Sequence, residues 1–275
     1  MEFRNACHPK DVKNYTTDRL REEFLIQNIF VPGKTKLVYS YIDRIITAGV
    51  CPLTDIDFDY KDEVKADYFL QRREMGVINI GGEGKVSVDG KDYTLKNRDG
   101  LYIGMGNENI VFKSNDQKNL AKFYISSAPA HKAYPVEMID SQKIEIADLG
   151  SQEQCNKRTL AKYIHPDGVK SCQLVMGLTA IEPGSVWNTM PCHTHARRME
   201  VYLYFNVSPE SVLFHFMGEP SETRHIIVRN EEAVISPSWS IHSAAGTGKY
   251  MFIWAMVGEN QQFTDMDAVP MSKLK

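Results

Sequence analysis

At 275 residues and 31.3 kDa the chain fits one large domain or two of roughly 130 residues, and either buries a core without disulfide staples. With 43% hydrophobic, 24% charged and 10% aromatic residues it is not disordered, collagenous or coiled-coil. Lys+Arg 32 against Asp+Glu 35, net charge -3, provides no electrostatic grip on nucleic acid, and no stretch approaches a membrane span. The opening MEFRNACHPKDVKNY has no apolar signal-peptide core. Five scattered cysteines without a CxxC read as reduced thiols of a cytoplasmic protein.

Residues 17–29, TDRLREEFLIQNI, form the opening helix candidate, with Thr17 or Asp18 as cap and Leu20 and Phe24 one turn apart. Gln27 and Asn28 interrupt that stripe and predict a short helix. KLVYSYI (36–42), bordered by Pro32-Gly33 and Pro52, reads as a strand. In KVSVDGKDYTL (85–95) the apolar alternation of Val86 and Val88 meets Asp89-Gly90, the dipeptide of a type I′ hairpin turn, and resumes at Tyr93 and Leu95. LYIGMG, NIVFKS and LAKFYIS continue the pattern, and the polar segment 129–160 is read as the connection between two halves. Beyond it CQLVMGLTAI (172–181), HARRMEVYLYF (195–205), SVLFHFM (211–217), RHIIV (224–228), EAVISP (232–237) and KYMFIWAMV (249–257) are all strand-like. Many short strands with turn residues between them predict an all-β sandwich or barrel with one short N-terminal helix.

A faint repeat supports two similar halves. RDGLYIGMGNENI (98–110) resembles NEEAVISPSWSIH (230–242), and each follows an arginine pair and a glutamate: Arg72, Arg73, Glu74 and Arg197, Arg198, Glu200. The first half has no histidine where the second has His242. The expected division is 1–135, without ligands, and 150–275, carrying them.

Of eight histidines, two stand as His193-x-His195. On a strand both imidazoles share a face, about 6.6 Å apart along the chain. Glu200 follows five residues later, where a bend can restore it to the same side, and shares its face with Tyr202 and Tyr204. His242 ends ISPSWSIH. An isolated His-x-His is often a surface accident. Combined with Glu200 and His242 between strands, it points to a borderline site for Zn²⁺, Mn²⁺, Fe²⁺ or Ni²⁺. Cys192 has the opposite parity to His193 and reads as a packed thiol, while His215 and His225 read as core or surface residues. Phosphate-loop, Rossmann and GxSxG signatures are absent.

The layout resembles a bicupin, with the His-x-His-x4-Glu first motif and Pro237-x-Trp239-x-x-His242 in place of the usual Pro-x-Gly-x-x-His. Val207 stands where the first motif normally closes with glycine. WNTMPCHTHARRMEVYLYF (187–205), ETRHIIVRNEEAVISPSWSIHS (222–243) and FIWAMVGENQ (252–261) closely resemble the 5-keto-4-deoxyuronate isomerase (4-deoxy-L-threo-5-hexosulose-uronate ketol-isomerase) family. REEFLIQNIFV, VYSYIDRII, FLQRREMGVINIGG and AKFYISSAPAH do the same in the first half. The resemblance spans essentially the whole chain. It implies two cupin-like jelly-roll halves, one Zn²⁺ per subunit on His193, His195, Glu200 and His242, and a homohexamer.

The implied reaction moves a carbonyl one carbon along an unsaturated-uronate breakdown product. It needs a Lewis acid, a proton shuttle and a cation for the substrate carboxylate. Arg197 or Arg198 is favoured for the cation, with Arg224 in reserve. Tyr202, by strand parity, and Glu222 compete for the shuttle, and a hydride shift needs neither. The alternatives are a cupin dioxygenase using Fe²⁺ on the same four residues, or a non-catalytic sugar-acid binder.

Overall fold

The computed structural model describes residues 1–259, 261–262 and 264–275. Asn260, inside the quoted run 252–261, lies outside the described residues. Short strands dominate, as the turn-punctuated sequence predicts, and they form two compact units. The first comprises Met1–Phe3, Asn28–Ile144 and Tyr163–Val175; the second comprises Arg4–Gln27, Glu145–Lys162 and Met176–Lys275. No helix among the described residues is long and apolar enough to cross a membrane.

The predicted helix runs over Thr17–Phe24, preceded by a four-residue helix at Pro9–Val12, and is capped not by Thr17 or Asp18 but by Thr16, whose side chain accepts a hydrogen bond from the Arg19 N–H at 3.3 Å. It buries Leu20 and Phe24 as the stripe requires, but ends sooner than 29. The reason is a competing ladder: Leu25 and Ile26 pair with Val234 and Ala233 as the edge strand of a sheet in the second unit.

Each unit has a seven-stranded and a four-stranded sheet, and the two sets share one logic. In the first unit, Arg73–Asn79 lies between Phe123–Pro129 and Gly100–Ile103; in the second, Arg198–Phe205 lies between Met251–Gly258 and Glu232–Ser236. The four-stranded sheets carry the hairpins Gly84–Val88 with Lys91–Leu95 and Leu213–Glu219 with Glu222–Val228. At the first hairpin Asp89 (φ 47) and Gly90 (φ 84) both take the left-handed conformation a type I′ turn requires. This architecture is all-β and compatible with two cupin-like halves. The segment 129–160 is more than a connection: it contains Glu137–Ile139 and Ile146–Leu149 and begins the strand Arg158–Ile164. Its polarity hid these strands because most are short and lie at sheet edges, where one face meets solvent.

The sequence repeat is real in part. Arg73 pairs with Pro129 and Arg198 with Gly258 at corresponding ladder ends, so the two arginines match. Two residues further in, Met75 faces Ile103 and Ser127 where Glu200 faces Ser236 and Met256. Glu74 is therefore one residue out of register with Glu200 and points to the opposite face. It is fully buried, accepting the backbone N–H groups of Cys172 (2.6 Å), Gln173 (2.7 Å) and Leu174 (2.8 Å) and the Tyr102 hydroxyl (2.8 Å).

Candidate metal centre

Three elements of the second unit deliver the donors. His193 lies on the short strand His193–Thr194, paired with Ala268, and His195 follows with its backbone N–H bonded to the Ser238 carbonyl at 3.3 Å. Glu200 projects from Arg198–Phe205. His242 ends the turn after Glu232–Ser236, which Ser240 pins by accepting the Gly218 N–H at 2.9 Å. All four side chains are buried, and one donor atom from each lies within 4.8 Å of the others. The His193 Nε2 stands 3.1 Å from that of His195 and 3.0 Å from that of His242. Glu200 Oε1 stands 2.7 Å from His195 Nε2 and 3.5 Å from His242 Nε2.

The donor chemistry fits a cation. His195 Nδ1 lies 2.6 Å from the Asp265 carbonyl, so it carries the proton and leaves the Nε2 lone pair facing the Glu200 carboxylate. Two acceptors at that separation need a positive centre between them. Burial, then the neighbouring His242, brings His193 down to about 3, so it presents a neutral lone pair. Burial alone would raise Glu200, yet its carboxyl is held below the ordinary range in this cluster, so it presents a carboxylate. Ligand pairs on a tetrahedral ion bound at 2.0–2.1 Å lie about 3.3 Å apart, within the observed range.

His193, His195 and Glu200 line a cavity of about 290 Å³, with His242 behind them. Its apolar wall includes Leu149, Leu160, Phe252, Trp254, Met256 and Met266; Thr179, Asn188, Thr189, Tyr202, Arg158 and Arg198 supply the polar side. Tyr202 is buried beside Glu200, and its hydroxyl is held well above the ordinary phenol range by burial and then by the Glu200 charge. It stays protonated and acts as a donor. Trp254 is fixed by its Nε1–H bond to Thr179 Oγ1 (3.1 Å) and by the absence of a side chain at Gly177, where a Cβ would overlap its ring and stand 2.5 Å from the Ala161 carbonyl. Gly177→Ala should cost about 2 kcal/mol by overpacking and raise KM by displacing Trp254; thermal melts and steady-state kinetics measure both.

The other sequence candidates separate. Arg198 lines the cavity, yet its guanidinium donates to the carbonyls of Gln262 (2.5 Å) and Asp265 (3.2 Å), so it holds the loop that orients His195. Arg197 is more than half exposed and pairs with Asp265 at 3.3 Å. Glu222 and Arg224 are not brought to the cavity. They pair with each other at 2.9 Å on the edge strand Glu222–Val228, and Arg224 also donates to the Lys13 carbonyl. The physical reason is sheet position: closeness in sequence to the ligands does not carry an edge strand to the cavity. His215 is a core residue bonded to the Tyr204 hydroxyl at 2.7 Å, His225 is exposed, and Cys192 packs against Ile241 and Val269. Arg158 is the cavity residue that sequence reasoning missed. It opens a strand whose alternation with Leu160 was legible, inside a segment read as a connection.

Fold and site together define a cupin-type protein with a three-histidine, one-glutamate centre. An IolB-like protein from Salmonella typhimurium LT2 has a similar fold at TM-score 0.67 and 14% identity, covering 82% of this chain and 87% of that one. An oxalate decarboxylase from Lactobacillus farciminis is similar at TM-score 0.57 and 10% identity, covering 87% and 84%. A family model is more specific: the KduI/IolB family matches residues 25–271, and the chain belongs to that family. It is 60% identical to the 4-deoxy-L-threo-5-hexosulose-uronate ketol-isomerase of Lachnoclostridium phytofermentans and 59% identical to that of Lachnospira eligens, over 100% of both chains in each case. The chain is an enzyme, an intramolecular oxidoreductase of the ketol-isomerase kind.

Proposed function

We propose that the enzyme converts 5-dehydro-4-deoxy-D-glucuronate, the 4-deoxy-L-threo-5-hexosulose uronate of its relatives' name, to 3-deoxy-D-glycero-2,5-hexodiulosonate in pectin and uronate breakdown, with one Zn²⁺ per subunit. The observation that carries this reading is the buried His193, His195, Glu200 and His242 set opening on a small cavity, in a chain similar to named ketol-isomerases throughout its length. Zn²⁺ held by these four residues supplies Lewis acidity for enolising an aldehyde beside a hydroxyl.

The chain's own side chains do the rest. Tyr202 keeps its proton beside Glu200, which makes it our choice over Glu222 as the acid that protonates the carbonyl oxygen as the enediol forms. Leu160, Trp254 and Met256 exclude water from the carbon backbone of the substrate. Arg198 keeps the Asp265 carbonyl on His195 Nδ1, so that imidazole presents a fixed lone pair. In this reading the division of labour follows the halves 1–135 and 150–275, since all four ligands lie in the second. Family likeness supports a homohexamer, and five cysteines without a disulfide support the cytoplasm.

The test is direct. Metal-loaded protein incubated with the product of an unsaturated-uronate hydrolase should turn an aldehyde signal into a ketone signal by carbon NMR without oxygen uptake. In D₂O the product's hydroxymethyl carbon should carry one solvent deuterium. An unchanged spectrum with fully metallated protein overturns the reading, and product without deuterium replaces the enediol route by a hydride shift.

A further inference from the structure

Two arginines reach the cavity, and they differ in what they have left to offer. Arg198 is committed to the carbonyls of Gln262 and Asp265. Arg158 makes one hydrogen bond to protein, from Nη1 to the Asn156 carbonyl at 2.8 Å, and pairs with no carboxylate among the described residues. It is half-buried at the start of the strand Arg158–Ile164, on the same side as Leu160, and lies near enough to Tyr202 for the two to interact electrostatically. A guanidinium does not lose its charge in proteins, and desolvating one without an acidic partner is costly. Among the described residues its remaining donors face the cavity, where a bound molecule can meet them. A planar fork with unused donors fits a carboxylate.

We infer that Arg158 anchors the substrate carboxylate and is the residue that makes this cavity select a sugar acid over a neutral aldose. The inference rests on the isomerase reading above and adds the recognition of the acid end to it. An open-chain uronate has two polar poles, an aldehyde with its neighbouring hydroxyl at one end and a carboxylate at the other. The cavity answers with the four-ligand set and Tyr202 for the first pole and Arg158 for the second, with Leu160, Trp254 and Met256 among its apolar walls. A neutral sugar would leave Arg158 desolvated and unpaired, so discrimination arises from that penalty as well as from the ion pair.

The experiment compares wild type with Arg158→Met and Arg158→Lys, each checked for unchanged metal content and melting temperature. On the uronate, Arg158→Met should lose about 100-fold in kcat/KM, mostly through KM, and Arg158→Lys about 10-fold, because an ammonium keeps the charge but not the fork. On the analogue whose carboxylate is reduced to a primary alcohol, both variants should match wild type within about twofold. If Arg158→Met does not fold, Arg158→Lys carries the same comparison. Equal losses on both substrates, or none on the uronate, overturn the inference. Calorimetric titration with 2-oxobutanoate, which carries the acid end and no aldehyde, separates this proposal from the functional reading. Arg158→Met should weaken that binding about 10-fold even if wild type fails to isomerise the uronate, and unchanged binding overturns the anchor whatever the activity.

Discussion

His242→Ala should empty the metal centre and reduce kcat/KM by on the order of 10³-fold or more, since Lewis-acid stabilisation is worth several kcal/mol. His242 Nε2 stands 3.0 Å from His193 Nε2 and 3.5 Å from Glu200 Oε1, so its removal opens one face of the donor set and leaves two imidazoles and a carboxylate. The gain in stability on adding metal separates a metal site from a structural cluster. Without metal, His242 is still a buried ring packed against His193 and Tyr202, so metal-free His242→Ala should melt below metal-free wild type, and added metal should not raise its melting temperature. With metal, wild type should melt higher, because an ion that binds only the folded state stabilises it by mass action. Elemental analysis of the purified variant and paired melts with and without chelator check both parts. Full metal occupancy in His242→Ala contradicts the ligand set.

Glu74→Gln should be the most damaging conservative change in the first unit. The carboxylate has no exposed surface and accepts four hydrogen bonds, three of them from consecutive backbone N–H groups at 172–174. An amide offers one oxygen, and whichever way it turns its NH₂ faces other donors. The orphaned buried N–H groups then carry their desolvation cost, about 1–3 kcal/mol each for those left without a partner. A total near 3 kcal/mol should lower the melting temperature by roughly 6–10 °C for a chain of this size. Glu74 and the four ligands lie in different units, so metal content at low temperature should match wild type. Differential scanning calorimetry and metal analysis read the two quantities, and a melt within 2 °C of wild type would show that Glu74 is replaceable.

Glu74 also marks where local reading stops. In sequence, Arg72-Arg73-Glu74 echoes Arg197-Arg198 and Glu200, and the arginine half of that echo is correct: Arg73 and Arg198 hold matching ladder ends. The glutamates differ by one residue, and one residue on a strand reverses the face. Met75 occupies the place of Glu200, so the first unit lacks a carboxylate there for a local reason, in addition to lacking the histidines.

The clustering of His193, His195, Glu200 and His242 was legible because the His-x-His pair and Glu200 lie close together in sequence and His242 follows a recognisable Pro237 turn. The hairpin at Asp89-Gly90 and the helix at Thr17–Phe24 were legible for similar reasons, since backbone conformation and capping act within a few residues, although the cap is Thr16 rather than Thr17 or Asp18. The end of that helix was not, because Leu25 and Ile26 answer to a strand more than two hundred residues away.

By itself the sequence determined the elements whose physics is local: alternation, turn dihedrals, the helix to within a residue of its cap, and a His-x-His pair near a glutamate. Only the tertiary structure decided which charged side chains face the cavity. Arg158 enters it from an apparently irregular connection, Arg198 turns to the Gln262 and Asp265 carbonyls, and Glu222 and Arg224 pair with each other on an edge strand. The physical reason is that a charge acts according to what it meets in space after folding. Strand order and ladder register set those meetings, and no spacing along the chain encodes them.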